Sequence, residues 1–294
     1  MFVLTIGDAV VDVVVELSRP PVVGDDVPAR ISLSNGGQAS NVAAWCAALG
    51  TRAAVISMVS TDLAGQLVTG LLERHGVELL GPTGRGGAEG ATGVVVSLVT
   101  PGGERSMASD RGASAELVAP DLDPAWFRDC DWLHVSGYSL LGPAGDEVAM
   151  AAAAMARAAG ARVSVDLSSA TLVESIGSAE AASRVEACRP EVVFATEAEH
   201  AALGPLKGVV TVVKLGPEGF VVDGAAGATR WTALETAEVR DTTGAGDAFA
   251  AGWIVGGPEL ARAAARACLA NPGAMPQAGA AALAQRRGSI TTRP

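Results

Sequence analysis

Towards the C-terminal end of the sequence, two carboxylates bracket a run of small residues: Asp241-Thr242-Thr243-Gly244-Ala245-Gly246-Asp247. The apolar stretch 248–253 follows at once and has helical composition. Small side chains at a helix start leave successive backbone N–H groups uncovered. With the helix dipole, these groups make a seat for a phosphate or a developing negative charge. A carboxylate at the same terminus, Asp247, can accept the proton of a bound alcohol. One group would activate the nucleophile while neighbouring N–H groups stabilise a transferring phosphoryl. The dipole is expected to keep Asp247 ionised. Taken alone, the string also suits a glycine turn with an Asp capping a helix.

Such a site needs a scaffold. Short Val/Ile-rich runs at 2–6, 54–59, 132–135, 162–165, 192–194, 209–215 and 219–222 read as strands. Ala-rich stretches of helical length lie between several of them, at 40–49, 65–75, 146–159 and 247–255. This alternation predicts an α/β fold, a three-layer sandwich whose mostly parallel central sheet is covered on both faces. Ligands of such sheets sit outside the carboxyl ends of the strands. Two regions break the rhythm. Strand-like 10–16 and 27–33 are joined by a Pro/Gly-rich segment, and 92–100 and 105–109 by Pro101-Gly102-Gly103, a hairpin signal. These four pieces are expected to form a small β-sheet lid from segments of about 10–34 and 91–110, inserted in a single domain covering 1–294. The tail 288–294 is expected to be disordered.

Composition narrows the function classes. The 294 residues are 49% hydrophobic but only 4% aromatic, so a large, aliphatic core is expected. The net charge of −11 argues against nucleic acid or anionic membrane surface as partner. Cys46, Cys130, Cys188 and Cys268 are far apart and show no metal-ligand spacing, which fits buried thiols in a reducing cytoplasm. The N-terminal apolar run carries Asp8 and Asp12 and no preceding basic residue, unlike a signal peptide or membrane helix. A P-loop pattern and a G-x-G-x-x-G fingerprint are both absent.

The string 241–247 resembles the C-terminal signature D-T-x-G-A-G-D of the ribokinase-like (PfkB family) carbohydrate kinases at every defined position. Gly36-Gly37-Gln38-Ala39-Ser40-Asn41 resembles the family's G-G-x-x-x-N, and Leu215-Gly216-Pro217-Glu218-Gly219 its L-G-x-x-G nucleotide loop. Gly7-Asp8 and Asp12 stand where the family has polar residues after its first strand. The resemblance covers nearly the whole chain and implies a sheet lid closing on the sugar.

It also implies roles. Asp247 would be the general base, with the backbone of Gly244, Ala245 and Gly246 as anion hole. Asp8, Asp12, Gly36, Gly37 and Asn41 would bind sugar hydroxyls, chemistry that suits carboxylates, a carboxamide and open backbone. Thr196, Lys214, Gly216 and Gly219 would bind ATP. Backbone oxygens of Asp241 and Thr243 would hold a monovalent cation, K⁺, with the loop Pro272-Gly273-Ala274 close by. Mg²⁺ would accompany ATP, reached by Glu199 through water.

The departures are specific. Thr196-Glu197-Ala198-Glu199 stands where the family has N-x-x-E, so Thr replaces Asn. Lys214 stands where many members have Thr: it either supplies positive charge near phosphate or sits at a solvated strand end. Asp166-Leu167-Ser168 stands where relatives read D-x-N, and Asp166 is either structural or supports a contacting residue. Arg105 and Arg111 flank the second lid hairpin; they suit the existing phosphate of a phosphosugar, or merely solvate the hairpin end. Tyr138 lines the sugar pocket or packs in the core.

The implied function is ATP-dependent transfer of a phosphoryl group to a hydroxyl of a small sugar or sugar acid. The alternatives are a nucleoside or phosphosugar kinase, and, in another class, a non-catalytic sugar or nucleotide sensor. Valines 13–15 and 94–96 are apolar on both faces of the lid and are expected to be exposed on one, which predicts a homodimer through the lid.

Overall fold

The structure is a computed structural model. It describes residues 1–83, 90–102, 105–142, 146–225, 227–235, 238–277, 280 and 282–283. The expected disordered tail 288–294 and Gly103 of the lid turn lie outside the described residues.

The chain opens with β1 (Phe2–Ile6), then β2 (Val10–Leu17) and β3 (Ala29–Gly36), which lead into α1 (Gln38–Ala48). Then come β4 (Arg52–Ile56), α2 (Leu63–Arg74), β5 (Val77–Leu80), β6 (Thr92–Val99) and β7 (Arg105–Gly112). The middle of the chain runs β8 (Trp132–Ser136), α3 (Gly137–Leu140), α4 (Asp146–Ala158), β9 (Arg162–Asp166), α5 (Ala170–Ile176) and α6 (Ser178–Ala187). The last third runs β10 (Val192–Thr196), α7 (Glu197–Leu203), β11 (Val210–Lys214), β12 (Phe220–Asp223), β13 (Thr229–Trp231), α8 (Ala245–Gly256) and α9 (Pro258–Leu269).

Nine strands form one sheet in the order β13-β12-β11-β10-β9-β8-β1-β4-β5. From β11 to β5 every pairing is parallel; β12 and β13 add an antiparallel edge. The alternation of the pleat sorts side chains into two cores. Val3, Val55, Phe194 and Val212 pack under α1, α8 and α9. Leu4, Ile6, Ile56, Leu133 and Val165 pack under α4 and α6. Both faces are covered, so the strands read as continuous apolar runs.

The core is mostly aliphatic, with Trp45, Trp132 and Phe127 buried singly and one aromatic cluster. Phe194, Phe220, Phe249, Trp231 and Trp253 gather beneath α8, with the Phe220 and Phe249 rings 4.8 Å apart and edge-to-face. Such pairs contribute about 0.5–1.5 kcal/mol each beyond burial. They fix the helix that carries Asp247 against the sheet. On its far side, a Cβ on Gly252 would sit 2.6 Å from the Leu260 carbonyl oxygen, so α9 packs directly on the α8 backbone.

The expected lid is a separate four-stranded sheet, β3-β2-β6-β7, with β2 and β6 parallel at its centre. Asp12, Ser34, Val95 and Ser109 are register partners and share one face. Val13, Val15, Ile31, Leu33 and Leu98 share the other. The sequence reading placed its exposed apolar groups at valines 13–15 and 94–96. They are half-buried, because Val13 and Val94 pack against the main core. The exposed apolar side chains are instead Ile31, Leu33 and Leu98.

All four cysteines are buried and free, and burial pushes the thiols of Cys188 and Cys268 up to about 12. No helix among the described residues is long and apolar enough to cross a membrane.

Candidate active site

The carboxyl ends of the parallel strands deliver most of the expected residues to one edge. Asp8 follows β1, Tyr138 follows β8, Asp166 ends β9, Thr196 ends β10 and Lys214 ends β11. Above this edge stand the first turns of α1 and α8 and the face of the lid that carries Asp12.

Gly244 caps α8 with φ +73°, in the left-handed region where a side chain is strained. A Cβ there would also press within 2.5 Å of the Ala274 Cβ. Of the expected N–H donors, that of Ala245 reaches the Thr242 carbonyl at 3.3 Å. The amides of Gly246 and Asp247 have no hydrogen-bond partner among the described residues. Open donors at the start of a 12-residue helix are what an anion needs.

Asp247 is half-buried, and its Oδ2 accepts the side-chain N–H of Asn41 at 2.7 Å. Asn41 therefore holds the expected base, and its own buried Oδ1 has no partner among the described residues. Burial pushes the Asp247 carboxyl up to about 7; the Asn41 bond and Lys214 oppose the rise, while Asp166 and Asp12 add to it. Burial thus works against the expected ionisation of this group at the helix start. The outcome suits a base better, since proton transfer is most efficient when the pKa lies near the working pH.

The glycine pair works through close approach. A Cβ on Gly36 would lie 2.6 Å from Asp12 Oδ2, so the Asp12 carboxyl rests on bare backbone. Gly37 has φ +91°, and a Cβ there would lie 2.6 Å from the Asp8 carbonyl carbon. Burial pushes Asp12 up to about 6 against the pull of Arg105.

The lid arginines take different partners. Arg111 grips the Asp8 carboxylate through two nitrogens, at 2.7 and 2.9 Å, so both groups are engaged with each other. Arg105 bonds Ser97 on the lid at 2.7 Å and reaches across to the hydroxyl of Thr243. The lid thereby touches the loop that carries the base.

That loop is internally tied. Asp241 Oδ1 accepts the Thr243 N–H at 2.8 Å and hydroxyl at 2.6 Å, and its Oδ2 accepts the Gly273 N–H at 2.8 Å. Burial raises the Asp241 pKa, but these bonds outweigh it and hold the group below its ordinary value. The Thr243 carbonyl, an expected cation ligand, accepts the Cys268 S–H at 3.2 Å.

On the opposite side, Thr196 and Glu199 form a reciprocal capping box at the start of α7. The Glu199 carboxylate accepts the Thr196 N–H at 2.7 Å, and the Thr196 hydroxyl accepts the Glu199 N–H at 3.3 Å. Threonine thus caps the helix as asparagine would. Burial and nearby Asp166 raise the Glu199 pKa. Lys214 donates to Asp166 Oδ2 at 2.7 Å, so it is no solvated strand end. The loop of Gly216 and Gly219 closes on itself, with the Leu215 N–H bonded to the Gly219 carbonyl at 2.8 Å. Tyr138 is 41% exposed beside these carboxylates rather than packed in the core.

One cluster carries no signal in the sequence. Gln38 Oε1 accepts the hydroxyls of Ser136 at 2.7 Å and Ser168 at 2.5 Å, and Ser168 accepts the Gly137 N–H at 2.9 Å. Ser168 holds this post with φ 66°, a conformation that favours glycine or asparagine. A groove of about 740 Å³ between α2 and β5 contains none of these groups. Among the described residues, no cluster of three His, Cys, Asp or Glu side chains could hold a metal ion.

A model of the pfkB family of carbohydrate kinases matches residues 2–294. The chain is 31% identical, over 262 residues, to the ATP-dependent ribose-1-phosphate kinase of Halopiger xanaduensis, covering 86% of this chain and 83% of that one. Its structure superposes on the adenosine kinase of Sinorhizobium meliloti with a TM-score of 0.84 at 27% identity, over 97% of this chain and 98% of that one. A ribokinase II structure from E. coli shares the fold, with a TM-score of 0.81 at 22% identity over 97% and 99% of the two chains.

Proposed function

The chain belongs to the pfkB family of carbohydrate kinases, and from that premise we propose that it transfers the γ-phosphoryl group of ATP to a hydroxyl of a small sugar or sugar acid. The carrying observation is the carboxyl of Asp247, held by Asn41 at 2.7 Å, beside the open amides of Gly246 and Asp247. The acceptor hydroxyl gives its proton to Asp247 as its oxygen bonds the γ-phosphorus. The bond from phosphorus to the β–γ bridging oxygen breaks, and ADP leaves. The amides at the start of α8 stabilise charge on the transferring group. Asn41 aims the base.

The acceptor lies against the lid face of Asp12, beside the carboxyl of Asp247. ATP lies along the ends of β10 and β11, near Thr196 and the loop of Gly216 and Gly219. Mg²⁺ would ride on the nucleotide phosphates and neutralise their charge, with Glu199 reaching it through water. Buried carboxylate oxygens suit such a hard cation. K⁺ would sit against backbone oxygens of Asp241 and Thr243, of which the Thr243 oxygen already receives the Cys268 thiol.

A second reading, a phosphosugar acceptor, is favoured by Arg105. Its guanidinium stands at the lid edge of the site, next to Thr243 and acting on Asp12. It matches the phosphate named in the Halopiger relative's substrate. The apolar lid face of Ile31, Leu33 and Leu98 supports a homodimer through the lid.

The test is ADP release with Mg·ATP and K⁺ across a panel of free sugars, sugar acids, phosphosugars and nucleosides. Release driven by free sugars or sugar acids supports the first reading, and release driven only by phosphosugars the second. No acceptor-dependent release would sink both. A monomeric mass at micromolar concentration would remove the dimer.

A further inference from the structure

Lys214 ends β11 and stands over the start of α8. A Cβ built on Gly246 would lie 3.3 Å from its Nζ. The ammonium is thus beside the two amides left open in the first turn. Among the described residues its only hydrogen bond is to Asp166 Oδ2. An ammonium has three donors, so two remain. The side chain is only 16% exposed, so water alone satisfies them poorly. Burial works against the Lys214 charge, but Asp166, Glu199 and Asp247 outweigh it and hold the amine protonated.

The charge balance points the same way. Asp166, Glu199 and Asp247 surround one lysine. A polyphosphate entering here meets more negative than positive charge, and the free donors of the lysine are the local group that offsets it. The lid arginines lie on the acceptor side, with Arg111 bound to Asp8 and Arg105 to Ser97 and Thr243. Lys214 is a cation on the nucleotide side of the base.

We propose that Lys214 is a catalytic residue that donates its two free N–H groups to the γ-phosphoryl oxygens during transfer, with Asp166 as the positioning residue that seats it. The proposal rests on the kinase reading above and goes beyond it, because a residue that only bound nucleotide would serve ADP as well as ATP. Lys214 keeps its proton throughout; the proton of the acceptor still passes to Asp247. Its charge offsets the charge on the oxygens that move with the phosphorus.

The experiment compares calorimetric Kd values for Mg·ATP and Mg·ADP in the full chain, alongside melting curves. Lys214→Met alone strands the buried Asp166 charge, so the neutral pair Asp166→Asn/Lys214→Met is measured beside it. The wild type is expected to prefer ATP. Both variants are expected to reduce the ratio of ATP to ADP affinity about tenfold or more, the scale of a lost charged hydrogen bond. Lys214→Arg is expected to recover part of the ratio. A melting point that falls while the ratio stays unchanged would make the pair merely structural and overturn the proposal. If neither methionine variant folds, Asp166→Asn alone decides: the ratio falls if Asp166 seats the lysine, and an unchanged ratio overturns it. A wild type that binds neither nucleotide at millimolar concentration defeats the kinase reading itself, a different outcome from an unchanged ratio.

Discussion

Asp247→Asn separates the proton-accepting role of the side chain from its shape. The amide keeps an oxygen for the Asn41 N–H, so the contact at 2.7 Å survives. Turnover is expected to fall by roughly 10²–10⁴-fold, the contribution of one general base. Stability is expected to move the other way. Burial raises the carboxyl from 3.8 to about 7 in the folded chain. A group raised on folding leaves stability intact below its unfolded pKa and subtracts from it as pH rises through the folded value. A shift of about three units corresponds to about 4 kcal/mol. Water reaches this half-buried site, and about half of that, ~2 kcal/mol, is a fair expectation after screening. For a chain of this length that is about 4–8 °C of melting temperature. Differential scanning fluorimetry of both proteins at about pH 8 should show the variant melting higher, with the gap closing towards pH 4. A variant that melts lower than the wild type at pH 8, or a gap that does not change with pH, would refute the claim that desolvation governs this carboxyl. Retained turnover would remove Asp247 as base.

Three further outcomes follow from the geometry. Below about pH 7, kcat/KM should fall roughly tenfold per pH unit as Asp247 of the free enzyme takes up its proton; a flat profile from about pH 5.5 to 8 would contradict this. Gly37→Ala forces a left-handed residue and a clash with Asp8, so urea unfolding should show a loss of at least about 2 kcal/mol, and a change under about 0.5 kcal/mol would disprove the contact. Arg105→Gln should raise KM for phosphorylated acceptors about tenfold or more and leave unphosphorylated ones near wild type; an equal effect on both would end the case for Arg105 as a phosphate reader.

The main strands were legible because both faces are buried, so each appears as an unbroken apolar run. β5 and β13 were not, since they are short edge strands, and the polar faces of α6 and α9 hid them among loops. The local motifs were equally visible. Gly244, Gly36 and Gly37 are required by backbone shape and close approach within a few residues of the groups they serve. The ion pairs were invisible. Lys214 and Asp166 are 48 residues apart and meet because β9 and β11 flank β10 and end within two residues of each other along it. Arg111 and Asp8 are 103 residues apart and meet only when the lid lies over β1. The environment of Asp247 was hidden for a related reason: the helix dipole is a local property, whereas burial and the charges of Asp166 and Asp12 come from distant parts of the chain.

The segment from Gly36 to Asn41 has a consequence for how this chain tolerates changes of length. Gly36 is the last residue of the lid and the seat of Asp12, and Asn41 lies in the first turns of α1 and holds Asp247. Five peptide steps therefore join the lid to the base. One residue inserted there would turn Asn41 by about 100° around α1 and take its amide off the carboxyl. The link between β2 and β3 faces solvent and carries no such phase. Loops of different length can be accommodated at the far tip of the lid, while its root admits only one.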